Sequence, residues 1–78
     1  MTTVTVYSTP LCQPCEQLKS YLRDQGVEFT VKDLMMDEDA ADFIDDHNIR
    51  TSPVLRIDDK LLHGADLDPA KINAALGL

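Results

Sequence analysis

The sequence predicts an α/β domain in which a small four-stranded mixed sheet is flanked by three helices. Short runs of β-branched and aromatic residues alternate with amphipathic segments along the chain. The first strand, helix and strand follow each other directly, which implies a parallel pair joined by a crossover. Two later apolar runs lie close enough to pair as a hairpin. The expected order of elements is therefore β-α-β-α-β-β-α.

The first half of the chain supplies a strand, a helix and a second strand. A β-branched and aromatic run predicts a strand over residues 3–7. Apolar residues then recur at helical spacing until Gly26, a residue typical of a helix end, so a helix is predicted over about 13–25. Alternation of apolar and polar residues predicts a strand over 27–31.

The second half supplies the remaining elements. A helix is predicted over 38–47, where apolar residues occupy one face and acids the other. Strands are predicted over 54–57 and 60–62, joined by a tight turn at Asp58-Asp59. Asp68-Pro69 has the pattern of an N-cap followed by proline at the first helical position, which predicts the closing helix.

Length and charge limit what the chain can do. At 78 residues it is expected to form one domain over 1–78 with a modest core. Fourteen acidic residues against seven basic ones give a formal net charge of −7. Such a charge disfavours nucleic acid and anionic membrane surfaces, and favours partners with basic docking surfaces. We expect a monomer.

The N-terminal segment predicts the compartment. Residues 1–7 have neither a basic start nor a long apolar run, and no stretch of the chain is long enough to span a bilayer. We therefore expect a cytoplasmic protein. Structural disulfides are rare in a reducing cytoplasm, so the two cysteines need another explanation.

The cysteines lie in the sequence Cys12-Gln13-Pro14-Cys15, at the predicted start of the first helix. A helix N-terminus carries partial positive charge and unpaired N–H groups, which should favour the thiolate of Cys12. Cys15 lies one turn further, where it can attack a mixed disulfide formed by Cys12. Pro14 is tolerated there because its missing N–H is not needed in the first turn. This spacing is typical of thioredoxin-like redox motifs.

Two other interpretations of the cysteine pair are a structural disulfide and a zinc site. A structural disulfide closing so short a loop would contribute only about 2 kcal/mol in the chain-entropy model. A zinc site needs four ligands, and the two histidines, His47 and His63, lack the usual finger spacing. We therefore expect no metal site.

The chain resembles the glutaredoxin-like branch of the thioredoxin superfamily. The likeness is carried by Val6-Tyr7-Ser8-Thr9-Pro10-Leu11-Cys12-Gln13-Pro14-Cys15, by Thr51-Ser52-Pro53-Val54 and by Gly64-Ala65-Asp66. It implies a thioredoxin fold and a cis-proline at Pro53 beside the reactive thiols. Besides the catalytic pair, the expected substrate-binding residues are Leu11, Gln13, Pro14, Thr51, Ser52, Pro53, Gly64, Ala65 and Asp66.

The resemblance leaves two subgroups open. Glutathione-dependent glutaredoxins usually carry a lysine where this chain has Thr9, and often a Gly-Gly pair where it has Gly64-Ala65. NrdH-redoxins take electrons from thioredoxin reductase and pass them to ribonucleotide reductase, but their typical Gln-Cys pair is Pro-Cys here and their tryptophan is absent. The missing lysine and Pro14, which is similar to the thioredoxin pattern, favour the NrdH-like assignment.

The predicted function is therefore reduction of protein disulfides by dithiol exchange, without a tightly bound cofactor. A glutathione-dependent glutaredoxin is the alternative, with glutathione as reductant. An iron–sulfur cluster carrier and a redox-sensing interaction module are further alternatives. Two further features are assigned no function: Met35-Met36 is interpreted as packing, and the acids between Asp37 and Asp46 as a solvated helix face.

Overall fold

The computed structural model of the protein describes residues 3–77. The predicted domain span of 1–78 therefore includes residues 1, 2 and 78, which lie outside the described part. The elements follow the predicted order with one 3₁₀ turn added: β1 (Val4–Ser8), α1 (Gln13–Asp24), β2 (Thr30–Asp33), α2 (Glu38–Asp46), β3 (Val54–Ile57), β4 (Lys60–His63), the 3₁₀ turn (Gly64–Asp66) and α3 (Pro69–Leu76).

The four strands form one mixed sheet in the order β2-β1-β3-β4. Strand β1 pairs with β2 in parallel and with β3 antiparallel, and β3 and β4 form the predicted antiparallel hairpin. The register of the parallel pair places Ser8 opposite Asp33. The loops that follow β1 and β2 therefore leave the sheet at the same edge.

Helix α1 begins and ends where the local sequence requires. Cys12 is its N-cap, and Pro14 lies in the first turn, where no intrahelical N–H bond is lost. After the C-cap residue Gln25, Gly26 has a φ of 73°, a left-handed conformation that glycine adopts without a Cβ penalty. The Val27 N–H then bonds to the Leu22 carbonyl and closes the helix end.

The prediction of a strand over residues 27–31 is wrong in its position. The strand begins at Thr30, because the parallel register pairs Thr30 with Thr5 and Asp33 with Ser8. Val27 and Phe29 instead pack, partly buried, against the core under α1. Their alternation therefore reflects two anchoring contacts before the strand.

The core consists of two clusters on opposite faces of the sheet. Successive strand residues point to opposite faces, so neighbouring residues of β1 and β3 enter different clusters. The larger cluster lies under α1 and α3 and has as buried members Val4, Val6, Leu18, Leu22, Leu55, Ile57 and Ile72. The smaller cluster lies under α2 and has as buried members Tyr7, Ala40, Ile44, Ile49 and Val54.

Among the helices of residues 3–77, none combines the length and apolar character needed to cross a bilayer.

Candidate functional site

The two cysteines lie at the start of α1 and are joined by a disulfide, with their Cα atoms 5.2 Å apart. Cys12 caps the helix through its own side chain, because its Sγ accepts the Cys15 N–H at 3.2 Å. The Cys12 carbonyl accepts the first helical bond, from Glu16 N–H at 3.2 Å. A sulfur that accepts a backbone N–H at a helix N-terminus is placed where negative charge is favoured.

The two sulfur-bearing residues differ in their access to solvent. Cys15 belongs to the buried core with 1% of its surface exposed, whereas Cys12 is only partly buried. An external disulfide can therefore reach Cys12 and not Cys15. Cys15 lies within bonding reach of Cys12, the other cysteine of residues 3–77.

One hydroxyl group lies beside Cys12, and a second hydroxyl is hydrogen-bonded to the first. Ser52 Oγ lies 3.9 Å from Cys12 Sγ, and it shares a hydrogen bond of 3.1 Å with Thr9 Oγ1. Hydroxyl groups can donate to a thiolate and so favour the charged form. Thr9 occupies the position of the lysine that glutathione-dependent glutaredoxins carry, and here it orients Ser52.

The peptide bond between Ser52 and Pro53 is cis, as the resemblance implied. Pro53 is buried, while Thr51 is exposed and Ser52 is intermediate. The polar side chains of Thr51 and Ser52 are therefore accessible at the surface, and the buried proline holds the segment against the domain.

A groove of about 470 Å³ runs beside the disulfide, between α1, the Thr51–Pro53 segment and the start of α3. Its lining is mostly apolar and carries no charged side chain among the described residues. It is formed by Pro14, Gln17, Leu18, Tyr21, Thr51, Ser52, Pro53, Gly64, Leu67, Pro69 and Ile72. Such a groove suits an uncharged, extended segment beside the sulfur better than an anionic ligand.

The structure divides the predicted binding residues into two sets. Pro14, the 51–53 segment and Gly64 line the groove. Leu11, Gln13, Ala65 and Asp66 do not line it, and Asp66 forms an exposed ion pair with Lys71 at 3.7 Å. Asp66, which the resemblance gives as a substrate-binding residue, therefore has a cationic partner within its own chain.

Sequence reasoning missed several lining residues. Helical periodicity places Leu18 and Tyr21 on the apolar face of the first helix and Ile72 on that of the closing helix, and the sequence pattern gives no binding role to Gln17, Leu67 or Pro69. Pro14, Leu18 and Tyr21 are spaced by four and three residues, so they share one face of α1. That spacing was the available signal for the wall of the groove.

The charges nearest the start of α1 balance each other. The pKa of Glu16 is lowered, chiefly by a hydrogen bond from Lys19; desolvation opposes this shift, and the positive charges of Lys19 and Arg23 add to it. Lys19 Nζ lies 2.6 Å from Glu16 Oε1. The carboxylate next to the cysteines is thus neutralised by its own helix, and the helix N-terminus keeps its influence on Cys12.

Three large apolar side chains near this edge of the sheet are exposed. Leu11 is fully exposed and has a φ of 55°, an unusual backbone conformation for a bulky residue. Met35 and Met36 are 72% and 82% exposed. The interpretation of the methionines as packing residues is therefore wrong, because the turn that follows β2 directs both away from the core.

Comparisons with known proteins agree with this architecture. A family model described as Glutaredoxin matches residues 4–62, well over half of the chain. A point mutant of the thioredoxin-like protein BC3987 superposes with a TM-score of 0.82 at 25% identity, covering 95% of this chain and 99% of that one. The NrdH-redoxin from Escherichia coli gives a TM-score of 0.82 at 24% identity, covering 92% of each chain. The predicted thioredoxin fold is confirmed.

A curated relative covers less of the molecule. The Gene 56 protein of Mycobacterium phage D29 is 38% identical over 45 residues, which is 58% of this chain and 50% of that protein. This chain thus spans about half the length of the curated relatives it matches.

Proposed function

Since this chain belongs to the glutaredoxin family, we propose that it is a thiol–disulfide oxidoreductase that reduces protein disulfides through Cys12 and Cys15. The observation that carries the proposal is the position of Cys12, which caps α1 and accepts the Cys15 N–H at its sulfur. That position favours the thiolate in the reduced protein, because the helix N-terminus stabilises negative charge.

The reaction transfers two electrons in two exchange steps. The Cys12 thiolate attacks one sulfur of the target disulfide, forms a mixed disulfide and displaces the other target sulfur as a thiolate. Cys15 then loses its proton and attacks Cys12 Sγ, which releases the second target thiolate. Both target sulfurs take up protons, and the protein is left with the Cys12–Cys15 disulfide seen in the structure.

Thioredoxin reductase is the proposed electron donor, as in NrdH-redoxins, and ribonucleotide reductase is the proposed target. The NrdH-redoxin from Escherichia coli is described as glutaredoxin-like with a thioredoxin-like activity profile. We propose the same profile for this chain, because Thr9 replaces the lysine of glutathione-dependent glutaredoxins and the lining of the groove is uncharged. Glutathione carries two carboxylates, so such a groove offers it no compensating cation.

The roles of the two cysteines can be separated by substitution. Cys15→Ser should accumulate the mixed disulfide with a protein substrate, because the second attack is lost, and mass spectrometry of the trapped adduct would detect it. Cys12→Ser should abolish reduction of insulin disulfides, since buried Cys15 cannot make the first attack. Full activity of Cys12→Ser would refute the assignment.

The electron donor is tested by a coupled assay that follows NADPH oxidation. Thioredoxin reductase with NADPH is compared with glutathione, glutathione reductase and NADPH, at equal concentrations of the redoxin. We expect faster turnover with thioredoxin reductase. A clear preference for glutathione would establish the alternative, a glutathione-dependent glutaredoxin.

A further inference from the structure

We propose that the turn between β2 and α2 is a docking surface for substrate proteins, and that it selects disulfide-bearing segments with an apolar residue and flanking basic residues. The surface comprises the methionine turn (residues 33–37), Leu11 and the acids that follow the turn. The proposal rests on the proposed reduction of protein disulfides, and it names the class of substrate.

The methionine turn is fixed by several hydrogen bonds. The N–H groups of Met36 and Asp37 both bond to the Asp33 carbonyl, at 3.1 and 2.8 Å, and the Met35 N–H bonds to Asp33 Oδ1 at 2.8 Å. Asp37 then caps α2 by accepting the Ala40 N–H. The two methionines therefore stand in solvent on an ordered backbone, with low entropic cost for the backbone when a partner binds.

The turn lies at the same sheet edge as the reactive cysteine. Ser8 pairs with Asp33 in the parallel register, and Leu34 N–H bonds to the Ser8 carbonyl at 2.8 Å. The chain after Ser8 leads to Leu11 and Cys12, and the chain after Leu34 leads to the methionines. Leu11 and the two methionines therefore follow adjacent parallel strands out of the same edge of the sheet, the edge at which Cys12 begins α1.

Methionine side chains suit a surface that must accept different partners. They are flexible and polarizable, and they are over-used at promiscuous binding surfaces. Exposed apolar residues near a reactive group mark interaction sites when they group together. Leu11, Met35 and Met36 are three of the four exposed large apolar side chains of the described residues; the fourth, Val31, is 44% exposed.

Charge decides which partner fits. Residues 33–46 contain seven acidic residues and no lysine or arginine. The basic residues that flank this segment are Lys32 and Arg50, and Arg50 lies 3.9 Å from Asp45. Helix α2 begins directly after the turn, so Glu38 and Asp39 lie beside the methionines. Basic side chains of a partner would meet complementary charge there, which raises the association rate.

The test uses the reduced full chain and synthetic peptides that each contain one internal disulfide. The peptides share a leucine and differ in their flanking residues, which are two lysines, two glutamines or two glutamates. We expect kcat/KM to be highest for the lysine peptide, by roughly tenfold over the glutamate peptide at low salt. The difference should shrink as ionic strength rises, because salt screens exposed charges.

Two variants separate the apolar and the charged contributions. Met35→Gln/Met36→Gln should lower kcat/KM about fivefold for all three peptides relative to reduction of the small disulfide DTNB, which carries no peptide chain to dock on the turn. Glu38→Gln/Asp39→Asn should lower kcat/KM about threefold for the lysine peptide and leave the other two peptides unchanged. Asp24→Asn/Glu28→Gln is the matched control, because it removes the same charge near the opposite end of α1 and should leave peptide selectivity unchanged.

Several results would overturn the inference. Equal kcat/KM for the three peptides would do so, as would an equal loss of selectivity in the control variant. Concentration-dependent dimerisation in sedimentation that the methionine variant abolishes would instead assign the surface to a second copy of the chain. If the unsubstituted protein reduces neither DTNB nor the peptides, the proposed function itself is wrong. If it reduces the peptides without selectivity, only the docking surface is wrong.

Discussion

The two faces of the sheet carry core clusters that differ in size and in the helices they support. The cluster under α1 and α3 has seven buried members, and it holds the helix that presents Cys12 and Cys15. The cluster under α2 has five buried members, and its helix carries no residue of the disulfide or of the groove beside it. The contrast indicates that the first face fixes the chemistry and the second supports the acidic surface.

The largest effect is expected where the first face is most completely buried. Leu22 is fully buried in the larger cluster. Leu22→Ala should lower the free energy of unfolding by about 4 kcal/mol, because it leaves a cavity between α1 and the sheet. Urea unfolding measures the loss, and insulin reduction should fall as well, since α1 positions both cysteines. Unchanged stability would contradict the division into two clusters.

A smaller effect is expected on the second face. Ile44 is 4% exposed and packs in the smaller cluster. Ile44→Ala should lower the free energy of unfolding by about 2 kcal/mol, because a short helix over few buried neighbours can collapse partly into the cavity. DTNB reduction by the folded fraction should stay as in the unsubstituted chain. If Ile44→Ala and Leu22→Ala, both assayed with DTNB, lost activity equally, the distinction between the two faces would be wrong.

The hydroxyl beside Cys12 should affect ionisation without affecting the core. Ser52→Ala removes the group 3.9 Å from Cys12 Sγ. We expect the thiolate population of reduced Cys12 at a given pH to fall about threefold. This change corresponds to the net free energy of one hydrogen bond. Titration of the thiolate ultraviolet absorbance measures this change. Thr9→Ala should produce a smaller shift in the same direction, because Thr9 acts through Ser52; identical titrations for all three proteins would exclude the hydroxyls.

The smallest effect is expected at the exposed Glu16–Lys19 pair on the first face. Lys19 lowers the pKa of Glu16, so the ionised carboxylate favours the folded state above the carboxyl's unfolded-state pKa. Glu16→Gln should therefore shift the thermal midpoint only slightly at neutral pH, because exposed pairs contribute little. The difference should vanish as falling pH protonates Glu16 in the folded state. A difference that grows in acid would contradict this assignment.

Local sequence determined most of the architecture. Proline and glycine at the ends of α1 and the Asp68 cap of α3 each set a backbone conformation through contacts within a few residues. The cysteine spacing alone placed both sulfurs within one helical turn of each other. These features were predictable because their physical causes lie within a few residues of chain.

Tertiary structure decided what depends on distant residues. The start of β2 at Thr30 follows from its register with β1, which the alternation of Val27 to Val31 does not reveal. The approach of Ser52 to Cys12 joins positions forty residues apart, and the exposure of Met35 and Met36 depends on where the β2 turn leaves the sheet. Burying an apolar side chain lowers the free energy of the folded state, but only the packed sheet determines which apolar side chains are buried.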